Sequence, residues 1–179
     1  MCNAAGSFSS VPDLVIRILS GRNDLFRCRS LRLEVWQAQD GVLSDEMKSN
    51  LNDEHDDHAL HWGAFIGEKL VASARMCVHP NLADVPDAYM FEDFDLPTPV
   101  ADFNRLVVSS AVRHRGLAAQ FDQLRISEAR NLECRSIVAV PVDDGKRPQH
   151  LRGLGFSETG IRKTVPWGDT PNIAMYLIL

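Results

Sequence analysis

Residues 104–124 read NRLVVSSAVRHRGLAAQFDQL. An apolar run, Leu106 to Val108, passes through Arg113, His114, Arg115 and Gly116 into Leu117, Ala118 and Ala119, where the spacing of Leu117, Phe121 and Leu124 predicts an amphipathic helix. A strand thus hands over to a helix across a basic, glycine-containing turn. The first amides of a helix have no partner within it and carry the positive end of its dipole, so such a turn can cradle a phosphate. Gly116 and Ala118 would let an anion approach that backbone closely. Taken alone, the stretch fits equally well a solvated basic turn whose glycine is needed only for its dihedral angle.

Working outward, 179 residues suit one core rather than two. The expected organisation is a flexible N-terminus over 1–13 and a single domain over 14–179. A net charge of −5 argues against a generally basic nucleic-acid binder, so any anion site must be local. No apolar run approaches the ~20 residues of a membrane span. Cys2, Cys28, Cys77 and Cys134 are scattered, with no CxxC pair, and MCNAAGSFSS lacks the features of a secretory signal. These features lead to the expectation of a cytoplasmic protein with neither membrane nor nucleic-acid partner.

DLVIRIL predicts a strand over 14–19, and the spacing of Leu25, Cys28, Leu31, Val35 and Trp36 predicts a helix over 24–39. A second short helix is expected after Ser44. ALHWGAFIGEKLVASARMCV predicts two antiparallel strands joined at Gly67-Glu68-Lys69, followed by a long proline- and aspartate-rich connection over 79–101. Further strands are expected at DFNRLVVS, SIVAVPV, SETGIRKTVPW and NIAMYLIL, with the helix from Leu117 reaching Asn131 and a short one at RPQHLRGLGF. The fold class is α/β (α+β), a mixed sheet with helices on both faces.

Arg113-His114-Arg115-Gly116-Leu117-Ala118 matches the R/Q-x-x-G-x-G/A pattern of the GCN5-related N-acetyltransferases, and HLRGLGFSETG is similar to their L-G-F-x-x-x-G signature at Leu154, Gly155, Phe156 and Gly160. LRLEVW and VVSSAVR resemble small acetyltransferases of the ElaA type. Asp102, Asn104, Arg105 and Leu106 partly match the acidic-x-S/T-R-F/L signature of the acyl-homoserine-lactone synthases. The resemblance implies a mostly antiparallel sheet in which the strands at 102–108 and 136–142 run parallel and splay apart. It implies acetyl-coenzyme A as cosubstrate, with the main chain of Leu106, Val107 and Val108 against the pantetheine arm. The amides from Arg113 through His114, Arg115, Gly116, Leu117 and Ala118 to Ala119 would hold the pyrophosphate. A small amine acceptor completes the set of partners, and a homodimer is compatible with it.

Candidate catalytic groups follow from residue type and place. Glu34 and His79 are candidate bases, followed by His61. Leu151 stands where many family members carry an acidic tyrosine, which leaves His150, Tyr176 or water to protonate the departing thiolate. Arg32, Arg75 and Arg105 lie in apolar surroundings, where an unpaired guanidinium is costly. They are expected either to pair with carboxylates such as Glu34 and Asp102 or to receive a substrate carboxylate. NDEHDDHALH gathers histidines and aspartates, but its spacing matches no closed metal motif, so no metal is expected.

Overall fold

The computed structural model describes residues 13–40, 45, 54–164 and 170–179. The chain runs β1 (Leu14–Leu19), α1 (Gly21–Asp40), β2 (Leu60–Ile66), β3 (Lys69–His79), β4 (Val100–Val108), α2 (Leu117–Asn131), β5 (Ser136–Ala139), α3 (Lys146–Gly153), β6 (Ser157–Lys163) and β7 (Asn172–Ile178). The expected N-terminal extension over 1–13 (apart from Asp13), the helix expected after Ser44 (apart from Asp45) and the stretch 165–169 lie outside the described residues.

One sheet carries the order β1-β2-β3-β4-β5-β7-β6. All neighbours are antiparallel except β4 and β5. β2 and β3 meet through a tight turn at Gly67, whose φ of 57° is the left-handed conformation that glycine adopts without strain. Among the described residues no helix is long and apolar enough to cross a membrane.

Both faces of the sheet are covered, and differently. On one face α2 and α3 pack Phe121 and Leu151 against Trp62, Met76, Phe103, Phe156 and Met175. On the other, α1 sets Cys28, Leu31 and Val35 over Phe65, Leu70 and Val107. Farther along that second face, Val85, Met90, Phe91 and Leu96 of the long connection cover Val100, Val138 and Ala174. The connection is therefore a packed cap built around the short 3-10 turns Leu82–Asp84 and Ala88–Phe91. Along β4 the two apolar clusters are separated by Asp102 and Asn104.

β5 is shorter than its sequence suggests. Its parallel pairing with β4 ends at Phe103 opposite Ala139, not at Val142. Beyond Ala139 the chain turns to β7: Ile173 N donates to Pro141 O at 2.9 Å, Asn172 Nδ2 donates to Val140 O at 3.1 Å, and Val142 makes only an isolated bridge to Asn172. Pro141 has no N–H to continue a ladder on either side. β4 runs on to Val108 paired only with β3, and an opening is left between its other edge and the departing chain.

Candidate active site

The opening is bounded by β4, by the loop after it and by the start of α2. Ser110–Val112 form a single 3-10 turn. His114 (φ 64°) and Gly116 (φ 73°) then take left-handed conformations. Gly116 is the N-cap of α2, and the first helical bond runs from Gln120 N to Gly116 O at 3.1 Å. Among the described residues the amides of His114 to Ala119 make no backbone hydrogen bond. A β-carbon built on Gly116 would meet nothing nearer than Gln120 Nε2 at 4.0 Å, so the space over this turn is open. Arg113, His114 and Arg115 are exposed around it. The arrangement fits a pyrophosphate by the chemistry of its donors.

On the β3 side of β4, Val107 and Val108 pair with Ser73 and Ala72. Their other edge has no partner strand among the described residues, so an extended chain can lie along Leu106, Val107 and Val108 as an added strand. The β3–β4 ladder is broken between Ser73 and Arg75, and Arg105 bulges out with φ 52°. Arg125 Nη1 donates to both Arg75 O (2.9 Å) and Asn104 O (3.4 Å), so one guanidinium bridges β3 and β4 beside the bulge. Arg105 follows Asn104 on the bulge, just beyond the last β4–β5 pair.

Beside that point lies a chain of buried polar groups. Asn104 Nδ2 donates to Asp102 Oδ2 at 2.5 Å, and Asn104 Oδ1 accepts from Arg75 Nε at 2.5 Å. Arg75 Nη1 continues to Asp56 Oδ1 at 2.8 Å, which also receives Arg32 Nη1 at 2.7 Å, while Arg29 Nε reaches Asp56 Oδ2 at 3.0 Å. His61, opposite Arg75 in the ladder, donates Nε2–H to Asp56 O at 2.9 Å and accepts from Arg32 Nη2 at 3.4 Å. Burial opposes the Asp56 carboxylate, but Arg32, Arg29 and Arg75 outweigh it and hold it below the usual range. Burial, with Arg32 and Arg75 close by, lowers His61 and keeps it neutral. Asp102 behaves oppositely: burial raises its pKa to about 6, and Asn104 and the neighbouring arginines only partly offset this.

These contacts place the residues singled out in the sequence. Arg32 and Arg75 do pair with a carboxylate, that of Asp56. Glu34 is exposed and lines a shallow cavity of about 280 Å³ with Arg27, Glu68 and Lys69 at the β2–β3 turn. Lys69 is seven strand residues from Met76, which faces Phe103, so Glu34 stands on the order of 20 Å from the apex of the opening. Arg105 sits on the bulge at the opening, half-buried. His79 is buried at the end of β3, edge-on to His55 with ring centroids 6.2 Å apart, and its pKa is lowered by burial and by His55. Tyr176 packs against Phe94 at 5.3 Å. Leu151 is fully buried in the core under α3.

His150 does not pack as an apolar residue would: its Nε2 lies 3.1 Å from Asp122 Oδ2, on the helical face of the sheet. His150→Ala is therefore expected to retain coenzyme binding and to lower turnover less than about tenfold, below the range of a lost general acid. Steady-state kinetics of this variant check it, and a hundredfold loss with binding intact would make His150 the acid.

The profile of the acetyltransferase (GNAT) family matches residues 25–156, which include the broken β4, the turn at Gly116 and α3. The chain belongs to that family. Its fold is similar to FeeM, an N-acyl amino acid synthase from uncultured soil microbes, with a TM-score of 0.74 at 20% identity over 95% of this chain and 92% of that one. It is also similar to Escherichia coli ElaA (TM-score 0.65, 16% identity, 92% and 99% coverage). A Bacillus subtilis acetyltransferase solved in complex with CoA gives 0.61 at 13% identity, with 93% and 99% covered. A search of curated proteins found no match. At these identities the likenesses establish the shared fold. GNAT proteins draw their acyl group from a coenzyme A thioester, and the amides of His114–Ala119 and the open edge of β4 are the elements of this GNAT chain suited to hold one.

Proposed function

We propose that the protein is an N-acetyltransferase that moves an acetyl group from acetyl-coenzyme A to the primary amine of a small acceptor, by direct attack within a ternary complex. One observation carries the reading: the buried Asp102 carboxylate, with its pKa near 6, is hydrogen-bonded to Asn104, the residue just before the bulge at Arg105 where β4 leaves β5. A thioester needs little activation, so the work left to the protein is alignment, deprotonation of the amine and support of the carbonyl oxygen as it gains charge. Asp102 takes the amine proton, directly or through one water, because a base titrating near 6 is ionised at neutral pH yet still accepts a proton. The Arg105 N–H faces the carbonyl oxygen. The amine nitrogen bonds to the carbonyl carbon as the carbon–sulfur bond breaks, and the thiolate takes its proton from water, since Leu151 supplies none.

A second reading is favoured by the likeness to FeeM and by the Asp102-x-Asn104-Arg105-Leu106 sequence: a longer acyl chain transferred to an amino-acid-like acceptor. A mass-spectrometric screen of amines and amino acids against acetyl- and octanoyl-coenzyme A separates the two. Acetyl transfer is expected to be the faster. A clear preference for the octanoyl donor would replace the first reading with the second, and coenzyme binding without any product would leave a sensor domain.

A further inference from the structure

Arg125 is fully buried in the middle of α2, a costly place for a guanidinium. Burial lowers its pKa to about 10, so it stays charged at neutral pH. Its guanidinium makes three hydrogen bonds and one ring contact. Nη1 reaches the Arg75 and Asn104 carbonyls, Nη2 donates to Asp122 Oδ1 at 2.5 Å, and the guanidinium carbon stands 4.2 Å from the Phe103 ring centroid. Asp122 is itself fully buried and is gripped from α3 by Arg147 Nη2 at 2.8 Å and by His150. Arg125 is thus held from below by two helices and pushed up into the gap in the β3–β4 ladder.

A regular antiparallel ladder would give the Arg75 and Asn104 carbonyls main-chain amides as partners. Here the guanidinium adds a donor to both from the helical face, next to the bulge at Arg105. Without it, both carbonyls would lose a charged donor and the irregular stretch of β4 would lose the contact that spans it. The Asn104–Arg105 peptide would then be free to shift. We infer that Arg125 is a positioning residue for acyl transfer: by capping the Arg75 and Asn104 carbonyls from the helical face, it holds the β4 bulge in the form that aims the Arg105 amide at the thioester carbonyl. The inference rests on the acyltransferase reading above. A lysine could cap one carbonyl but could not also keep the fork on Asp122 and the stack on Phe103.

The test uses the full chain and the double variant Arg125→Gln/Asp122→Asn, which removes the buried cation and its carboxylate together and leaves only the partly exposed Arg147, which can turn to solvent. Coenzyme A affinity by calorimetry and acceptor KM are expected to stay within about threefold, while kcat falls ~100-fold, the loss typical of one oxyanion donor. Arg125→Lys is expected to recover part of that loss. In the absence of ligand, the carbonyl-carbon NMR shifts of Arg75 and Asn104 and the amide of Arg105 are expected to move in the double variant, while resonances of β6 do not. Unchanged kcat, or unchanged bulge resonances in a folded double variant, would overturn the inference. Failure of the native chain to acylate any amine would overturn the functional reading instead, and the ligand-free resonances would still decide whether Arg125 holds the bulge.

Discussion

Asp102→Asn is expected to lower turnover by ~100-fold or more, within the range for a lost general base, while making the folded chain more stable at neutral and alkaline pH. Both effects come from the same burial. The folded chain keeps the Asp102 proton up to about pH 6, whereas an ordinary aspartate, at 3.8, loses it earlier. A group whose folded pKa is raised leaves stability fully present below the unfolded value and loses it as pH rises through the folded one. Above that point the ionised carboxylate costs the native state roughly 3 kcal/mol, taking about 1.4 kcal/mol per pKa unit. Asparagine preserves the contact to Asn104 and cannot ionise. The stability difference between variant and native chain should therefore be small below about pH 4 and grow between there and about pH 6. Urea titrations across that range, together with kcat/KM measured at each pH, check the pair of effects. Native kcat/KM should fall below about pH 6, and Glu34→Gln, far from the apex, should leave the profile in place. An active Asp102→Asn, or one destabilised at pH 8, would remove Asp102 from the mechanism.

Gly116→Glu is expected to abolish coenzyme binding. At a coenzyme concentration about a hundred times Kd, the native chain should gain about 2.7 kcal/mol, or roughly 5 to 10 °C in Tm. The substituted side chain would occupy the open space over the amides, carry a charge of the same sign as the ligand and strain a backbone at φ 73°. Gly116→Ala separates the causes, since it keeps the strain without the charge or the bulk. Thermal melts with and without coenzyme A decide the matter: an unshifted native chain, or a Gly116→Glu variant that shifts as much as the native one, would place the pyrophosphate elsewhere.

The turn and α2 were legible because local chemistry states them: a glycine before two alanines, then apolar residues at helical spacing, gave Leu117–Asn131 with both ends correct. The end of β5 was less so. Apolar content continues through Val142, and only Pro141 and the demand of β7 for a partner stop the strand at Ala139. Glu34 could not have been Arg32's partner, since helix residues two apart point to nearly opposite sides. Asp56 could not be singled out from Asp53 and Asp57, because what distinguishes it is the tertiary meeting of α1 with β2 and β3. Asp102 carried a readable signal, an acidic residue two places from Val100 and beside Phe103 in a buried strand, but its raised pKa depends on a depth that spacing alone does not supply.

The interruption of the second face by Asp102 and Asn104 has a consequence for motion. Because polar groups part the apolar contacts of α1 from those of the 82–96 cap, the two coverings share no continuous greasy surface and need not detach together. For the cap to lift from Val100, Val138 and Ala174, Asp87 would have to leave Lys163, but α1 could stay seated on Phe65 and Val107. The lifetime of such a local opening, rather than the strength of the whole fold, would then set how readily the strand residues beneath it meet solvent.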